Sequence, residues 1–188
     1  MKLVLPPRKT KSAEKPWSEQ YLEEHAVTVE FAEANNVEIH GDRIIFVKHH
    51  PLSRARLDSS RTRHKVPPIG KDGKPMKFTQ RHGEGFPYFP AHWDWARIFT
   101  DPAVDIFIVE SECSALAGAQ RGLVVIAVGG CDGAFMPGTH RQKLHPIFSE
   151  MVLKGRKVYI VFDADAKSNK NVHDAEQAAA KLFSEAVR

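Results

Sequence analysis

The chain has 188 residues, 42% of them hydrophobic and 27% charged, with a net charge of +4 and two cysteines. That is enough for one sizeable domain or two small ones, and too few cysteines for a disulfide scaffold or a zinc ribbon. No apolar run nears the ~20 residues of a membrane-spanning helix and no signal-peptide core is visible, so the reading is a reduced, cytoplasmic protein without a membrane partner.

Residues 1–16 hold Pro6, Pro7, Pro16 and five basic residues without periodicity, and read as a flexible basic tail. Ser18 is expected to cap a short helix, "SEQYLEEH", and Thr28 a second, "TVEFAEANN", stopped at Asn35-Asn36. "HGD" at 40–42 then turns the chain into a β-rich run, "RIIFVKHH". A long polar stretch follows over 53–85, with "KDG" as a hairpin-type turn. "GFPYFPAHWDW" (85–95) concentrates aromatics in a Pro-broken segment, which suits a connector packed on a domain or else a stacking surface.

The charge is uneven. Residues 43–81 contain eleven Lys or Arg against Asp58 and Asp72, a surplus of nine, whereas 82–188 contain eleven basic and thirteen acidic residues. A basic half joined to a slightly acidic one points to a polyanion partner, nucleic acid first.

From Asp105 the pattern changes. "DIFIVE" (105–110), "LVVIAVGG" (123–130) and "KVYIVFDAD" (157–165) are continuous apolar, β-branched runs of the kind buried on both faces of a parallel sheet. "ECSALAGAQRG" reads as a helix stopped at Gly122, and "THRQKLHPIFSEMVLKG" as another stopped at Gly155, with Pro146 a kink or its true start. "NVHDAEQAAAKLFSEAVR" has Asn171 as expected N-cap and an apolar stripe at 175, 178, 179, 182, 183 and 186. The order is β-α-β-α-β-α, a right-handed parallel unit. The predicted class is therefore α/β: a Rossmann-like parallel sheet with flanking helices over 103–188, preceded by a smaller basic α+β subdomain over 17–102.

Ligands of such sheets bind beyond the carboxyl ends of the strands. There this chain places Glu110, then Gly129-Gly130, then Asp163 and Asp165. If the first and third strands are neighbours, three carboxylates converge, a hard-oxygen set suited to Mg²⁺ or Mn²⁺ completed by waters and substrate phosphates. Glu112 starts the following helix, where its charge suits the N-terminal dipole, or joins the site. Asp132 sits in "GCDG", an ordinary turn or an accessory acid. Lys167 either meets a phosphate or is a solvated loop charge. Cys113 reads as core, and His140, His145 and His173, without ligand spacing, as surface.

"IFIVESECSALAGAQRG" followed at a distance by "VYIVFDADAKSN" resembles the TOPRIM domain shared by DnaG-type primases, topoisomerases and some nucleases. The resemblance implies Glu110 as the family glutamate and Asp163 and Asp165 as metal-binding, catalytic aspartates. Upstream, "GDRIIFVKHHPLSRARL" and "KPMKFTQ" resemble the basic part of a bacterial or phage primase core, which puts Arg56 and Lys77 at positions handling template or nucleotide. Ser111 departs from the usual glycine after the glutamate. The function implied is primer synthesis on single-stranded DNA in phage or plasmid replication, using nucleoside triphosphates. Arg54, Arg56, Arg63 and Lys77 would then hold the strand, and a helicase or other replication protein is the expected partner. The alternatives are a TOPRIM nuclease and a non-catalytic single-strand-binding accessory module.

Overall fold

The computed structural model describes residues 15–80, 85–163 and 169–188. The expected tail up to residue 14, Asp165 and Lys167 lie outside the described residues.

Helix α1 (Trp17–Glu24) starts two residues earlier than expected, with Pro16 rather than Ser18 in the cap position, and among the described residues no side chain caps it. Ser18 is therefore not the cap; it is buried inside the first turn, where its hydroxyl has no partner among the described residues. Helix α2 (Val29–Ala34) is capped as expected, the Phe31 N–H donating to Thr28 Oγ1 at 3.2 Å. Asn35 ends it and does more. Its buried side chain donates to Phe31 O and accepts the His92 N–H, while its carbonyl takes the Tyr88 hydroxyl. The connector after residue 85 is thereby tied to the N-terminal helices.

Strands β1 (Val37–His40), β2 (Arg43–Phe46), β3 (Arg61–His64) and β4 (Phe78–Gln80) form an antiparallel sheet in that order. The β-rich run supplies β2. Strands β3 and β4 are polar and half-buried, so no apolar pattern marks them. The "KDG" turn forms, with Gly73 at φ +76° in the left-handed region that a glycine enters freely.

After helix α3 (Trp95–Thr100) come β5 (Ile106–Val109), α4 (Glu112–Ala119), β6 (Val125–Ala127) and β7 (Val158–Val161). These strands make a parallel sheet in the order β6-β5-β7, so the first and third strands are indeed neighbours, with Val109 level with Val161. Tyr88 exchanges backbone hydrogen bonds with Ala127 and covers the outer edge of β6.

The expected helix over 139–155 does not form. His140 and Arg141 take left-handed φ values of 50° and 62°, which no helix tolerates, and only a 3₁₀ turn, Pro146–Glu150, remains beyond them. Pro146 marks a start, and His145, expected at the surface, is buried as its cap, accepting the Ile147 N–H. Helix α5 (Lys170–Ala186) begins two residues early. Asn169, not Asn171, is the cap, accepting the Asn171 N–H at 3.1 Å.

Two cores result. One face of the parallel sheet (Ile106, Ile108, Ile126) packs with Phe99, Phe148 and α5 residues Ala175, Ala179 and Phe183. The other (Val109, Val125, Ala127) packs with α4 and with Leu22, Val37, Ile44 and Phe46 of the basic segment. The basic sheet and the parallel unit thus share apolar contacts, which fixes what each presents to the other. Among the described residues no helix is long and apolar enough to cross a membrane.

Candidate functional site

Glu110 directly follows β5 and Asp163 stands two residues beyond β7. Because the strands are adjacent and parallel, both acids reach the same edge. The Asp163 N–H donates to Glu110 Oε1 at 3.1 Å, with Glu110 half-buried and Asp163 exposed. The Glu110 carbonyl in turn accepts the Gly130 N–H at 3.0 Å, so the loop after β6 joins this edge. Among the described residues no group of three or more His, Cys, Asp or Glu side chains is placed to hold a metal. Two carboxylates at a strand edge nevertheless suit Mg²⁺, which is commonly held by one or two acids plus substrate phosphates.

Ser111 has its own structural reason. It caps α4, accepting the Ser114 N–H at 3.1 Å, and its hydroxyl meets the Ser114 hydroxyl at 2.7 Å. Glu112, next in line, points away from solvent altogether. It is fully buried, with Arg61 Nη1 2.9 Å from Oε2 and Lys48 Nζ 3.8 Å from Oε1. Burial pushes the Lys48 ammonium below its ordinary value, Glu112 opposes the fall and Arg61 adds to it. A buried lysine persists as an ion only beside such an anion.

This trio lies against Gly129. A Cβ at Gly129 would meet Glu112 Oε1, Lys48 Nζ and Arg61 Nη1 at 3.4, 3.5 and 3.6 Å, and Gly129 is left-handed at φ +72°. The left-handed φ asks for glycine; the three distances are ordinary van der Waals contacts and show only that the charged groups lie directly against the loop. The result is one surplus positive charge from the basic segment set beneath the Gly129-Gly130 loop, beside the backbone of Glu110.

Beyond that loop lies an open cleft of about 590 Å³, lined among others by Gln80, Gly129, Phe135, His140 and Arg141. Asp132 lines it too, but its carboxylate is engaged by Arg141 Nε at 2.6 Å, and the same guanidinium donates to the Asn171 carbonyl and side chain. Asp132 is therefore a partner of Arg141 and anchors the 131–141 loop to the start of α5.

The expected strand-binding cations are spread out. Arg54 is exposed and Lys77 is exposed on the approach to β4. Arg56 is ion-paired to Glu38 at 3.2 Å, both exposed. Arg63 is half-buried over Trp17, Tyr21 and Phe78, its Nη1 donating to the His64 and Lys77 carbonyls. Its guanidinium fastens α1 to the sheet. Sequence reasoning missed Lys48, Arg61 and Arg141 as site neighbours. The sequence carries no signal that singles out Arg61: in "RTR" it alternates with Arg63, so the two side chains share one face of the strand, and both lie over Phe78.

The fold and the edge define a mixed α/β protein whose parallel sheet carries carboxylates at its carboxyl end, with a basic antiparallel sheet packed against it. Residues 93–187 match the family described as Domain of unknown function (DUF3854), and the chain belongs to that family. Among solved structures, the chain is similar to the Aquifex aeolicus primase (zinc-binding and RNA polymerase domains), with a TM-score of 0.53 and 15% identity, over 89% of this chain and 47% of that one. The chain thus spans about half the length of the primase chain it matches, and at that identity the likeness is one of fold. No curated protein matches it.

Proposed function

We propose that this chain is a primase-like enzyme of replication that transfers nucleotidyl groups on single-stranded DNA in a metal-dependent reaction. The observation that carries the reading is the meeting of Glu110 and Asp163 at the carboxyl edge of neighbouring parallel strands. The likeness of fold to a primase and the basic segment support it.

Glu110 and Asp163, with Asp165, would hold Mg²⁺ or Mn²⁺. When bound, the metal supplies charge neutralisation on the triphosphate and on the leaving pyrophosphate. The chain's own residues do the rest. The cleft beside Gly129 receives the nucleotide, and the absence of side chains at Gly129 and Gly130 lets a phosphate approach the loop. Arg61, held by Glu112, adds positive charge there, where oriented donors in a partly buried site act more strongly than in water. Arg54 and Lys77 hold the strand by its phosphates, the sequence-independent part of nucleic-acid affinity.

The test is incubation with single-stranded DNA, Mg²⁺ or Mn²⁺ and labelled nucleoside triphosphates. New labelled oligomers that vanish in Asp163→Asn support the proposal. Shortened DNA without nucleotide incorporation would make the same edge a nuclease. Tight DNA binding with neither product would replace the reading with a binding module.

A further inference from the structure

The turn at 49–54 and the connector at 89–95 enclose a second pocket of about 240 Å³, lined by His49, His50, Arg54, Phe89, Trp93 and Trp95 among others. None of these residues lines the cleft beside Gly129. Its walls are aromatic. Phe89 and Trp95 are buried and meet edge to face at 4.9 Å, and Trp93 lies against His92 at 4.4 Å.

Two nitrogens on the lining residues, Trp93 Nε1 and His49 Nδ1, are buried without a hydrogen-bond partner among the described residues. The neighbouring Trp95 Nε1 is satisfied, donating to the Pro90 carbonyl at 2.8 Å. Arg54 stands at the same pocket, exposed and without an ion pair among the described residues, in a left-handed conformation at φ 57°. His50 imposes that turn. Its carbonyl accepts the Arg54 N–H at 2.8 Å and its Nδ1 accepts the Leu52 and Ser53 N–H groups. A long side chain kept in a sparsely populated backbone region is a pointer to function.

These features select a ligand class. The volume falls below the ~300–1,000 Å³ of pockets for drug-sized molecules, so it admits one ring system and not a whole nucleotide. An apolar guest would leave both nitrogens unpaired. An indole N–H only donates, while an imidazole nitrogen donates or accepts according to tautomer. The edge of a nucleobase carries donors and acceptors side by side and its face stacks on aromatic rings. We propose that this pocket receives one nucleobase, paired by Trp93 and His49, while Arg54 takes the adjoining phosphate. The proposal rests on the nucleic-acid reading above for the source of the base, and it makes the aromatic connector a binding element as well as a packed one.

The experiment uses the full chain in chelator, so that no metal chemistry enters, at one fixed salt concentration. Anisotropy of a labelled single strand is compared with that of the same strand bearing abasic positions. The wild type is expected to bind the abasic strand roughly 10-fold more weakly, the scale of losing one stacked base. Trp93→Ala should show that loss on the base-bearing strand and none on the abasic one, whereas Arg54→Ala should weaken both. Trp93→Phe, which keeps a ring but removes the N–H, serves if the alanine variant melts early, and should lose affinity for the base-bearing strand alone. Competition by dAMP that is abolished in Trp93→Phe extends the pocket to free nucleotides; absence of competition assigns it to bases held in a strand. Equal wild-type affinity for the two strands, or equal losses on both in the Trp93 variants, overturns the inference. Loss of the metal-dependent reading would leave this result standing, since chelator is present throughout.

Discussion

Glu112 shows how one residue serves two parts of the chain. It begins α4, where its charge suits the helix dipole, and it pairs with two cations of the basic segment, Lys48 and Arg61. Removing one partner of a buried ionic set costs more than the set contributes, because the remaining charge is left without compensation. Glu112→Gln is expected to destabilise the fold by about 3 kcal/mol in chemical denaturation. Its pH dependence is also fixed in sign. Lys48 already has a pKa below the ordinary 10.5, chiefly through burial, and Glu112 is what raises it back. A lysine depressed in the folded state binds fewer protons folded than unfolded, so its contribution to stability rises with pH up to the unfolded value. In Glu112→Gln the depression deepens, and the stability deficit should shrink as pH rises from neutral towards 10. A deficit that widens over that range would contradict the pairing. Cys113 offers a second check at this scale. Burial pushes its thiol up to about 12, with Glu112 adding and Arg63 opposing. It should resist alkylation in the native protein at pH 8 and react on unfolding, the thiolate being the nucleophile.

At the scale of elements, α4 and β6 pack in close contact at Gly118. A Cβ at Gly118 would stand 2.6 Å from Val125 Cγ2, a buried strand side chain with little freedom to move. Alanine is better than glycine in a helix by about 1 kcal/mol. Overpacking of this kind costs about 1–3 kcal/mol. The steric cost wins, and Gly118→Ala is expected to lower stability by roughly 1 kcal/mol, measurable by thermal melting. A gain would mean that helix and strand can separate without loss. The antiparallel sheet illustrates a different balance. Its strands β3 and β4 bury cationic and polar side chains only partly, and Arg61 and Arg63 both lie over Phe78, at 4.1 and 5.3 Å. Two of the eleven cations of residues 43–81, Arg61 and Arg63, thus hold this sheet to α4 and α1.

Over the whole molecule, what could be read from the residues followed from apolar patterning. The parallel strands announced themselves as β-branched runs, and the acids at their ends were visible because strand ends face the ligand edge of such sheets. Strands β3 and β4 were hidden because they are polar, and the helix expected over 139–155 failed because the apolar spacing there ignored what His140 and Arg141 adopt. The Lys48–Glu112–Arg61 set was not legible at all. Arg61 and Glu112 are 51 residues apart, and only tertiary packing of the two halves brings them together. Placing Glu110 beside Asp163 needed just one fact that the residues leave open, the adjacency of β5 and β7. The central claim is that this edge holds a divalent metal. The most direct measurement is Mn²⁺ titration followed by the electron paramagnetic resonance of the free ion, for the wild type beside Glu110→Gln and Asp163→Asn, with melting curves to show that each variant is folded. The account predicts saturable Mn²⁺ binding in the wild type that is lost, or weakened more than about 100-fold, in both variants, beyond the roughly 10–100-fold that loss of a residue merely hydrogen-bonded to a ligand costs. Folded variants that bind Mn²⁺ as tightly as the wild type would contradict it.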